Sequence, residues 1–416
     1  MSVFLGGWTL EGGEAVGEGG AVEEEEILSL VGNLVEQSLV VAEGTPDGSV
    51  RYGMLEPVRQ YALEKLQECE DKERVRRLHA LWYTRFAEHA EKELTGPDQG
   101  EWFDRLETEH DNLRAALLWS LEGNEPDIGL RLAAALWRMW NARGFMQEGR
   151  GWLEKALSRG EDRPSPARAK ALNGAGAIAY QQGDTHSARG MFEKSIEMSR
   201  ELGDMGVLSR ATCNLASLML GLNELARARG LFEQCLVMDR ELDDKSRIAF
   251  SLGGLADVFY CMGDLDKGIE YYEQSLALHR ELDDRRSIGI TLSNLGELTQ
   301  LQGDLERAED LYKQSMAVVR EIDDRWLTVH VLLAVGSLLA VQNRQERAVS
   351  ILAAVDSLRR EMGFEFQAHT LADYESALQL ARDALSKERF EAAWQRGGAM
   401  SLEEAASYAM SEGTTV

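Results

Sequence analysis

Apolar residues recur every three or four positions over most of the chain, which is the spacing that collects them on one face of an α-helix. One such face is formed by Ile248, Leu252, Leu255, Ala256 and Phe259. Gly263 follows, and glycine readily takes the left-handed backbone conformation that ends a helix. Asp264 can then cap a second helix through its carboxylate. The pattern therefore predicts a helical hairpin around this dipeptide.

The same pattern returns at a fixed interval of 40 residues. A turn pair stands at Gly183-Asp184, Asn223-Glu224, Gly263-Asp264, Gly303-Asp304 and Asn343-Arg344. An Arg-Glu pair begins at Arg200, Arg240, Arg280, Arg320 and Arg360. A single hairpin cannot bury both of its apolar faces, so neighbouring units must stack. A fixed period of this length predicts a solenoid of helical hairpins.

Small and aromatic residues hold fixed places within each unit. In the second helix the small–aromatic–small trio is Ala188/Phe192/Ser195, Ala228/Phe232/Cys235, Gly268/Tyr272/Ser275 and Ala308/Tyr312/Ser315. This spacing resembles the tetratricopeptide repeat, whose period is about 34 residues. The longer unit adds roughly 4.5 Å to each helix. The resemblance covers about half of the chain and implies an all-α solenoid with a concave binding groove.

Residues 1–66 have a different pattern. They indicate an amphipathic helix over 27–39, β-prone runs over 38–42 and 50–54, turn residues over 44–48, and a further helix over 55–66. Two β-prone runs around turn residues predict a hairpin. Helix, hairpin and helix in this order are typical of a winged-helix segment.

Several short motifs extend this interpretation. They are Gly6-Gly7-Trp8, residues 34–40 (Leu-Val-Glu-Gln-Ser-Leu-Val), residues 51–62 (Arg-Tyr-Gly-Met-Leu-Glu-Pro-Val-Arg-Gln-Tyr-Ala) and residues 107–119 (Glu-Thr-Glu-His-Asp-Asn-Leu-Arg-Ala-Ala-Leu-Leu-Trp). With the repeats, they resemble the winged-helix and sensor parts of the STAND proteins. These are bacterial signal-transduction ATPases with numerous domains, and many are transcription regulators.

One part of that family's pattern is missing from this sequence. STAND proteins carry a nucleotide-binding domain before the winged helix, and the phosphate loop Gly-x-x-x-x-Gly-Lys-[Ser/Thr] does not occur here. Met1 falls where the family is already inside the winged helix. We therefore expect a STAND-like chain without its nucleotide-binding domain, either truncated or acting as a separate sensor half.

The expected organisation has four parts. They are a winged-helix-like remnant (1–66), a helical connector (67–126), tetratricopeptide-like repeats (127–363) and C-terminal capping helices with a tail (364–416). In the connector we expect long helices over 66–94 and 101–121. The capping helices, which repeat arrays need at their ends, are expected at 373–385, 390–396 and 402–410.

The net charge and the absence of catalytic motifs exclude several classes of function. The 45 basic and 71 acidic residues give a net charge of −26, a sign that repels nucleic acid and anionic lipid. No apolar run reaches the roughly 18–20 residues that span a bilayer, so we expect a cytoplasmic chain with no membrane contact. The seven histidines and four cysteines show no metal-ligand or nucleophile spacing. We predict no catalysis and no cofactor or metal.

Binding is therefore expected in the concave groove, on the first helix of each repeat. The candidate residues are Arg210, Asn214, Asp257, Tyr260, Asn294 and Glu297. Asn214 and Asn294 share one phase of the repeat, and an amide can both donate to and accept from a peptide backbone. The expected partner is a protein or peptide, with a small-molecule effector as a further candidate. The alternative is that these are ordinary polar residues on a solvated face.

Two functions from different classes follow. The first is a non-catalytic protein-interaction or ligand-sensing module of a STAND-type signalling or transcription-regulatory system. The second is a DNA-binding transcription regulator that acts through the winged helix. Residues 1–50 contain ten acidic residues and no Lys or Arg, whereas DNA affinity depends on cationic contacts to phosphates. We therefore favour the first function and expect no nucleic-acid partner.

Overall fold

The computed structural model describes all residues except 18–23, 46–47, 95–97, 124, 160–162, 364–365, 367 and 412–416. The described chain forms two compact units. Unit 1 comprises Met1–Leu94 and Glu101–Ile178, and unit 2 comprises Thr95–Gly100 and Ala179–Val416. The predicted hairpin turn includes Pro46 and Asp47, which lie outside the described residues, as does most of the predicted tail. Within the described residues, no helix combines the length and apolar character that crossing a membrane requires.

Unit 1 begins with a small antiparallel sheet among helices. Its elements are β1 (Trp8–Thr9), α1 (Leu10–Gly17), α2 (Glu24–Glu36), β2 (Val41–Gly44), β3 (Val50–Gly53), α3 (Glu56–Glu68), α4 (Lys72–Glu93), α5 (Gln99–Thr108), α6 (His110–Glu122), α7 (Pro126–Ala142), α8 (Met146–Arg159) and α9 (Pro166–Gln181). The first two residues of α5 and the last three of α9 belong to unit 2. The strand order is β1-β3-β2. In this sheet Tyr52 of β3 is opposite Trp8 on one side and Ala42 on the other. The expected order of helix, hairpin and helix is present as α2, β2–β3 and α3.

The connector differs from the expectation of two uninterrupted helices. The first predicted helix, 66–94, is broken because Cys69 adopts an extended backbone conformation that ends α3. The second, 101–121, is broken at Glu109. The carboxylate of Glu109 is buried and accepts hydrogen bonds from Tyr83 and Asn112. The bond from Tyr83 is a tertiary contact, which an apolar period does not encode.

Unit 2 is an array of antiparallel helical hairpins followed by three further helices. Its elements are α10 (Thr185–Leu202), α11 (Met205–Gly221), α12 (Leu225–Glu241), α13 (Lys245–Cys261), α14 (Leu265–Glu281), α15 (Arg285–Leu301), α16 (Leu305–Glu321), α17 (Arg325–Val341), α18 (Gln345–Glu361), α19 (Ala368–Ala384), α20 (Lys387–Gly398) and α21 (Leu402–Met410). The helices α11, α13, α15 and α17 start 40 residues apart, as the period predicts. The last three overlap the segments predicted as capping helices, and their capping role stays a prediction.

The turns between these helices follow the predicted local chemistry. Gly263 has a positive φ of 82°, and the side chain of Asp264 accepts a hydrogen bond from the backbone N–H of Lys267. Asn223 and Asn343 take the same left-handed conformation in their own turns, with φ values of 60° and 61°. In all three turns the left-handed residue therefore ends the first helix. Asp264 also caps the second helix, whereas Glu224 and Arg344 form no side-chain cap hydrogen bond.

The small and aromatic residues of the repeat lie in the core. In α14, Gly268, Tyr272 and Ser275 are all buried. Phe192 and Phe232, which hold the place of Tyr272 in the two preceding units, are 1% exposed. The small residues let the helices approach closely, and the aromatic rings fill the space between them. This packing explains the fixed places of these residue types.

Candidate binding groove

The six predicted groove residues lie on three successive first helices of unit 2. Arg210 and Asn214 are on α11, Asp257 and Tyr260 on α13, and Asn294 and Glu297 on α15. All six side chains are half-buried. Whether they contact a partner remains a prediction, but their mutual contacts define a local site on α13 and α15.

Hydrogen bonds around Tyr272 join the three helices α13, α14 and α15. The hydroxyl of Tyr272, on α14, donates to the carboxylate of Asp257 on α13. The same hydroxyl accepts from the Nδ2 of Asn294, on α15, at 2.9 Å. We call Asp257, Tyr272 and Asn294 the Asp257 chain. It connects both helices of one repeat with the first helix of the next.

A second bond links the same two first helices. The hydroxyl of Tyr260, on α13, donates to the Oε1 of Glu297, on α15, at 2.9 Å. Asp373, on α19, is close enough for its negative charge to act on both Tyr260 and Glu297. The site therefore combines tyrosine hydroxyls, one amide and carboxylates from three helices.

The two carboxylates of α13 and α15 are poorly stabilised as anions. Burial raises the pKa of Asp257 to about 7, with the charge of Glu297 adding to the shift and the Tyr272 hydrogen bond opposing it. Burial also raises the pKa of Glu297, where the Tyr260 hydrogen bond opposes the shift and Asp373 adds to it. Both shifts have the sign expected for carboxylates that lack a cationic partner.

The sequence pattern gave Tyr272 the aromatic place of its repeat, and its role in hydrogen bonding was not predicted. A signal was present in the repeat itself. The aromatic position is Phe192 and Phe232 in two units and Tyr272 and Tyr312 in the next two. Each tyrosine hydroxyl has a polar partner on the preceding first helix: Tyr272 donates to Asp257, and the hydroxyl of Tyr312 donates to Gln300 at 3.3 Å. A change from Phe to Tyr at a core position therefore indicates a polar group within reach.

The described residues contain no cluster of three or more His, Cys, Asp or Glu side chains arranged to hold a metal ion. The four cysteines are free, with Cys213 and Cys235 buried and Cys69 and Cys261 exposed. The chemistry that the site supports directly is hydrogen bonding and the binding of positive charge.

The hairpin array and its core define a tetratricopeptide-like solenoid. Family models of the tetratricopeptide repeat match residues 168–202, 247–321 and 287–355. The all-α solenoid predicted from the 40-residue period is therefore confirmed.

Part of the sequence is similar to proteins named as HTH-type transcriptional regulators. Over 222 residues, 51% of this chain, the sequence is 32% identical to a candidate HTH-type transcriptional regulator of Mycobacterium bovis. The same figures apply to a regulator of Mycobacterium tuberculosis. The match covers 24% of each regulator, so this chain spans about a quarter of the length of the relatives it matches.

Two solved structures are similar in fold. A Rap protein complexed with competence and sporulation factor has a TM-score of 0.52 and 14% identity, covering 79% of this chain and 96% of that one. A STAND protein with a tetratricopeptide repeat sensor, from Pyrococcus horikoshii, has a TM-score of 0.51 and 14% identity, covering 95% of this chain and 60% of that one. At these identities the likeness concerns the fold alone.

Proposed function

We propose that the chain is a non-catalytic protein-interaction or ligand-sensing module of a STAND-type signalling or transcription-regulatory system. The similarity to transcription regulators supports the regulatory setting. The similarity in fold to a STAND protein with a tetratricopeptide repeat sensor supports the sensing role. In this proposal α2, β2, β3 and α3 correspond to the winged helix of such systems.

The observation that carries the proposal is the half-buried row of polar side chains on α13 and α15. Asp257 and Glu297 occupy the same phase of successive repeats, and burial raises the pKa of both. A partner that covers carboxylates must offset their desolvation, which a cation does best. Tyr260 adds an aromatic surface of the kind enriched at binding hot spots. We infer that the partner presents an extended segment with Lys or Arg at this site.

The segment is expected to carry mixed charge. Arg210 lies one repeat before Asp257, on α11, and would favour an acidic group at the corresponding end of the partner. The Rap protein complexed with competence and sporulation factor has a similar fold. We therefore favour a peptide over a small-molecule effector as the occupant of the groove.

A peptide array tests the proposal. Decapeptides of basic, acidic or neutral composition are titrated against the wild type and against Asp257→Asn/Glu297→Gln. The matched control is Glu270→Gln/Glu306→Gln, which removes the same number of carboxyl groups from exposed positions on α14 and α16. Basic peptides should bind the wild type and control, and lose at least tenfold in affinity for the groove variant. Equal binding by both double variants would place the interaction elsewhere.

A second candidate function is DNA binding through the winged-helix segment. The order α2, β2–β3, α3 and the HTH-type name of the relatives favour it. The ten acidic residues and absent cations of residues 1–50 oppose it, because phosphate contacts need Lys or Arg. We expect no band shift with duplex DNA at physiological salt. Binding that weakens steeply with added salt would instead promote this candidate.

A further inference from the structure

We propose that the Asp257 chain is a proton-responsive link between two repeats, in which Asp257 holds a proton in the folded protein and releases it to solvent when the pH rises or a cation enters the groove. The link to a cation rests on the proposed function. The protonation of the free protein does not, so each can be tested without the other.

The geometry supports this proposal because the hydrogen bonds of the Asp257 chain connect three helices. Asn294 donates to the Tyr272 hydroxyl, and that hydroxyl donates to Asp257. A tyrosine hydroxyl has only one proton to donate, so Tyr272 satisfies one lone pair of Asp257 and no more. The remaining lone pairs of the half-buried carboxylate are available to bind a proton or a cation. A neutral Asp257 retains the Tyr272 bond through its carbonyl oxygen.

The surrounding groups do not supply that cation. The groups that act on the charge of Asp257 are the hydroxyl of Tyr272 on α14 and the carboxylate of Glu297 on α15. The negative charge of Asp257 in turn acts on the hydroxyl of Tyr180, on α9, and on the thiol of Cys261, on α13 itself.

The other neighbouring helices contribute as follows. On α12, the carboxylate of Asp239 accepts hydrogen bonds from the hydroxyls of Ser209 and Ser251. On α11, Ser217 holds the position equivalent to Asp257. Arg210 lies seven residues before Ser217, which is about 10 Å along the helix. From α19, Asp373 acts on Glu297 and increases the negative potential. The charges identified at the site therefore favour the protonated form.

The direction of the pH effect follows from linkage. The folded pKa of Asp257, about 7, is above the value of about 3.9 for an unfolded aspartate. The stabilisation from proton uptake is therefore complete below the unfolded value and is lost as the pH rises through 7. Between pH 6 and pH 8 this group alone should change the equilibrium for opening the link about tenfold.

Hydrogen–deuterium exchange of peptides from α14 measures this opening. Opening constants, corrected for the intrinsic pH dependence of exchange, are compared at pH 6 and pH 8 for the wild type, Asp257→Asn and the control Glu306→Gln. The wild-type ratio of opening constants, pH 8 over pH 6, should exceed that of Asp257→Asn by about tenfold. Glu306→Gln should behave as the wild type. Equal ratios in the wild type and Asp257→Asn would overturn the proposal.

A second variant protects the test against a folding defect. Ser217 occupies the position of Asp257 in the preceding unit and Ser337 occupies it two units later, so Asp257→Ser copies a residue that the repeat already accepts. It should fold, as judged by circular dichroism, and should also lack the tenfold pH effect. Failure of both variants to fold at either pH would overturn the proposal, because a neutral residue is expected to suit this site. A normal pH effect with no peptide binding would instead contradict only the proposed function.

Discussion

The guanidinium of Arg51, on strand β3, lies against the buried carboxylate of Glu109, at the break between α5 and α6. Tyr83 of α4 donates its hydroxyl to the same carboxylate at 2.7 Å, and Asn112 of α6 donates its amide at 2.7 Å. Arg51 also donates to the backbone oxygen of Gly6 at 3.1 Å. The carboxylate thus connects the sheet with two helices of unit 1, and Arg51 extends this link to the N-terminal segment.

Replacing Glu109 with Ala should destabilise unit 1. The change leaves the guanidinium of Arg51 and the hydroxyl of Tyr83 without their partner in a half-buried to buried setting. Loss of one member of a buried ion pair typically costs about 3–5 kcal/mol. Denaturant-dependent hydrogen exchange of α4 and α6 peptides measures the loss.

Two variants test whether the pairing is the cause. Glu101→Ala removes an exposed carboxylate from the same helical region and should change stability by less than about 0.5 kcal/mol. Arg51→Met combined with Glu109→Ala should cost less than the sum of the two single changes. Strict additivity would show that the pair does not interact.

His79 should make unit 1 sensitive to acid, opposite in direction to Asp257. Burial lowers the pKa of His79 to about 4, and the hydrogen bond to Asn112 opposes the shift only in part. Its stabilising contribution is therefore complete above an unfolded pKa of about 6.5 and decreases as the pH falls towards 4. Between pH 7 and pH 5 the loss should be about 2 kcal/mol.

The comparison is between the wild type and His79→Gln, both assayed by hydrogen exchange of α4 peptides at pH 7 and pH 5. The variant should lose most of the acid sensitivity of this helix. His89→Gln, on the same helix, should leave it unchanged. An equal response of wild type and His79→Gln would contradict a buried neutral imidazole.

The sequence was sufficient for the solenoid because the relevant signals are local and repeated. Gly263 and Asp264 determine a turn through their own backbone and side-chain chemistry, and the same chemistry recurs 40 residues away. The helix break at Glu109 could not be predicted in this way. It coincides with bonds to Arg51 and Tyr83, 58 and 26 residues distant, and such contacts leave no periodic pattern.

The candidate groove was predictable only in part. The repeat phase placed Asp257 and Glu297 on equivalent positions of successive helices, but it did not reveal which polar groups meet. The bond from Tyr272 to Asp257 depends on how far a side chain of the second helix reaches past the first. That distance is a property of packing, and only the Phe-to-Tyr change within the repeat indicated it.

The turn before α13 should respond in opposite ways to changes at two adjacent aspartates. Asp243 has a φ of 50°, a left-handed conformation that glycine adopts without steric cost, and Gly203 and Gly363 hold this position in other units. Asp243→Gly should therefore stabilise the chain by up to about 1 kcal/mol. Asp244 caps α13 by accepting from the N–H of Arg247 at 3.1 Å, so Asp244→Ala should destabilise it by about 1 kcal/mol.

Thermal unfolding of both variants beside the wild type checks the two signs. If both changes destabilise, the side chain of Asp243 has a stabilising contact that outweighs its backbone strain. If both are neutral, this turn is not part of the cooperative unit that unfolds.

Two adjacent glycines of α13 provide the last prediction. A Cβ on Gly254 would overlap the ring of Phe232, whereas a Cβ on Gly253 would meet only the Ser275 hydroxyl oxygen, at 3.7 Å. Gly254→Ala should force the ring to move and destabilise the solenoid by about 1–3 kcal/mol. Gly253→Ala should stabilise it by roughly 0.5–1 kcal/mol, because alanine favours a helix more than glycine does. Chemical denaturation of the two variants measures the difference, and a stabilising Gly254→Ala would show that α12 and α13 pack less closely than the structure indicates.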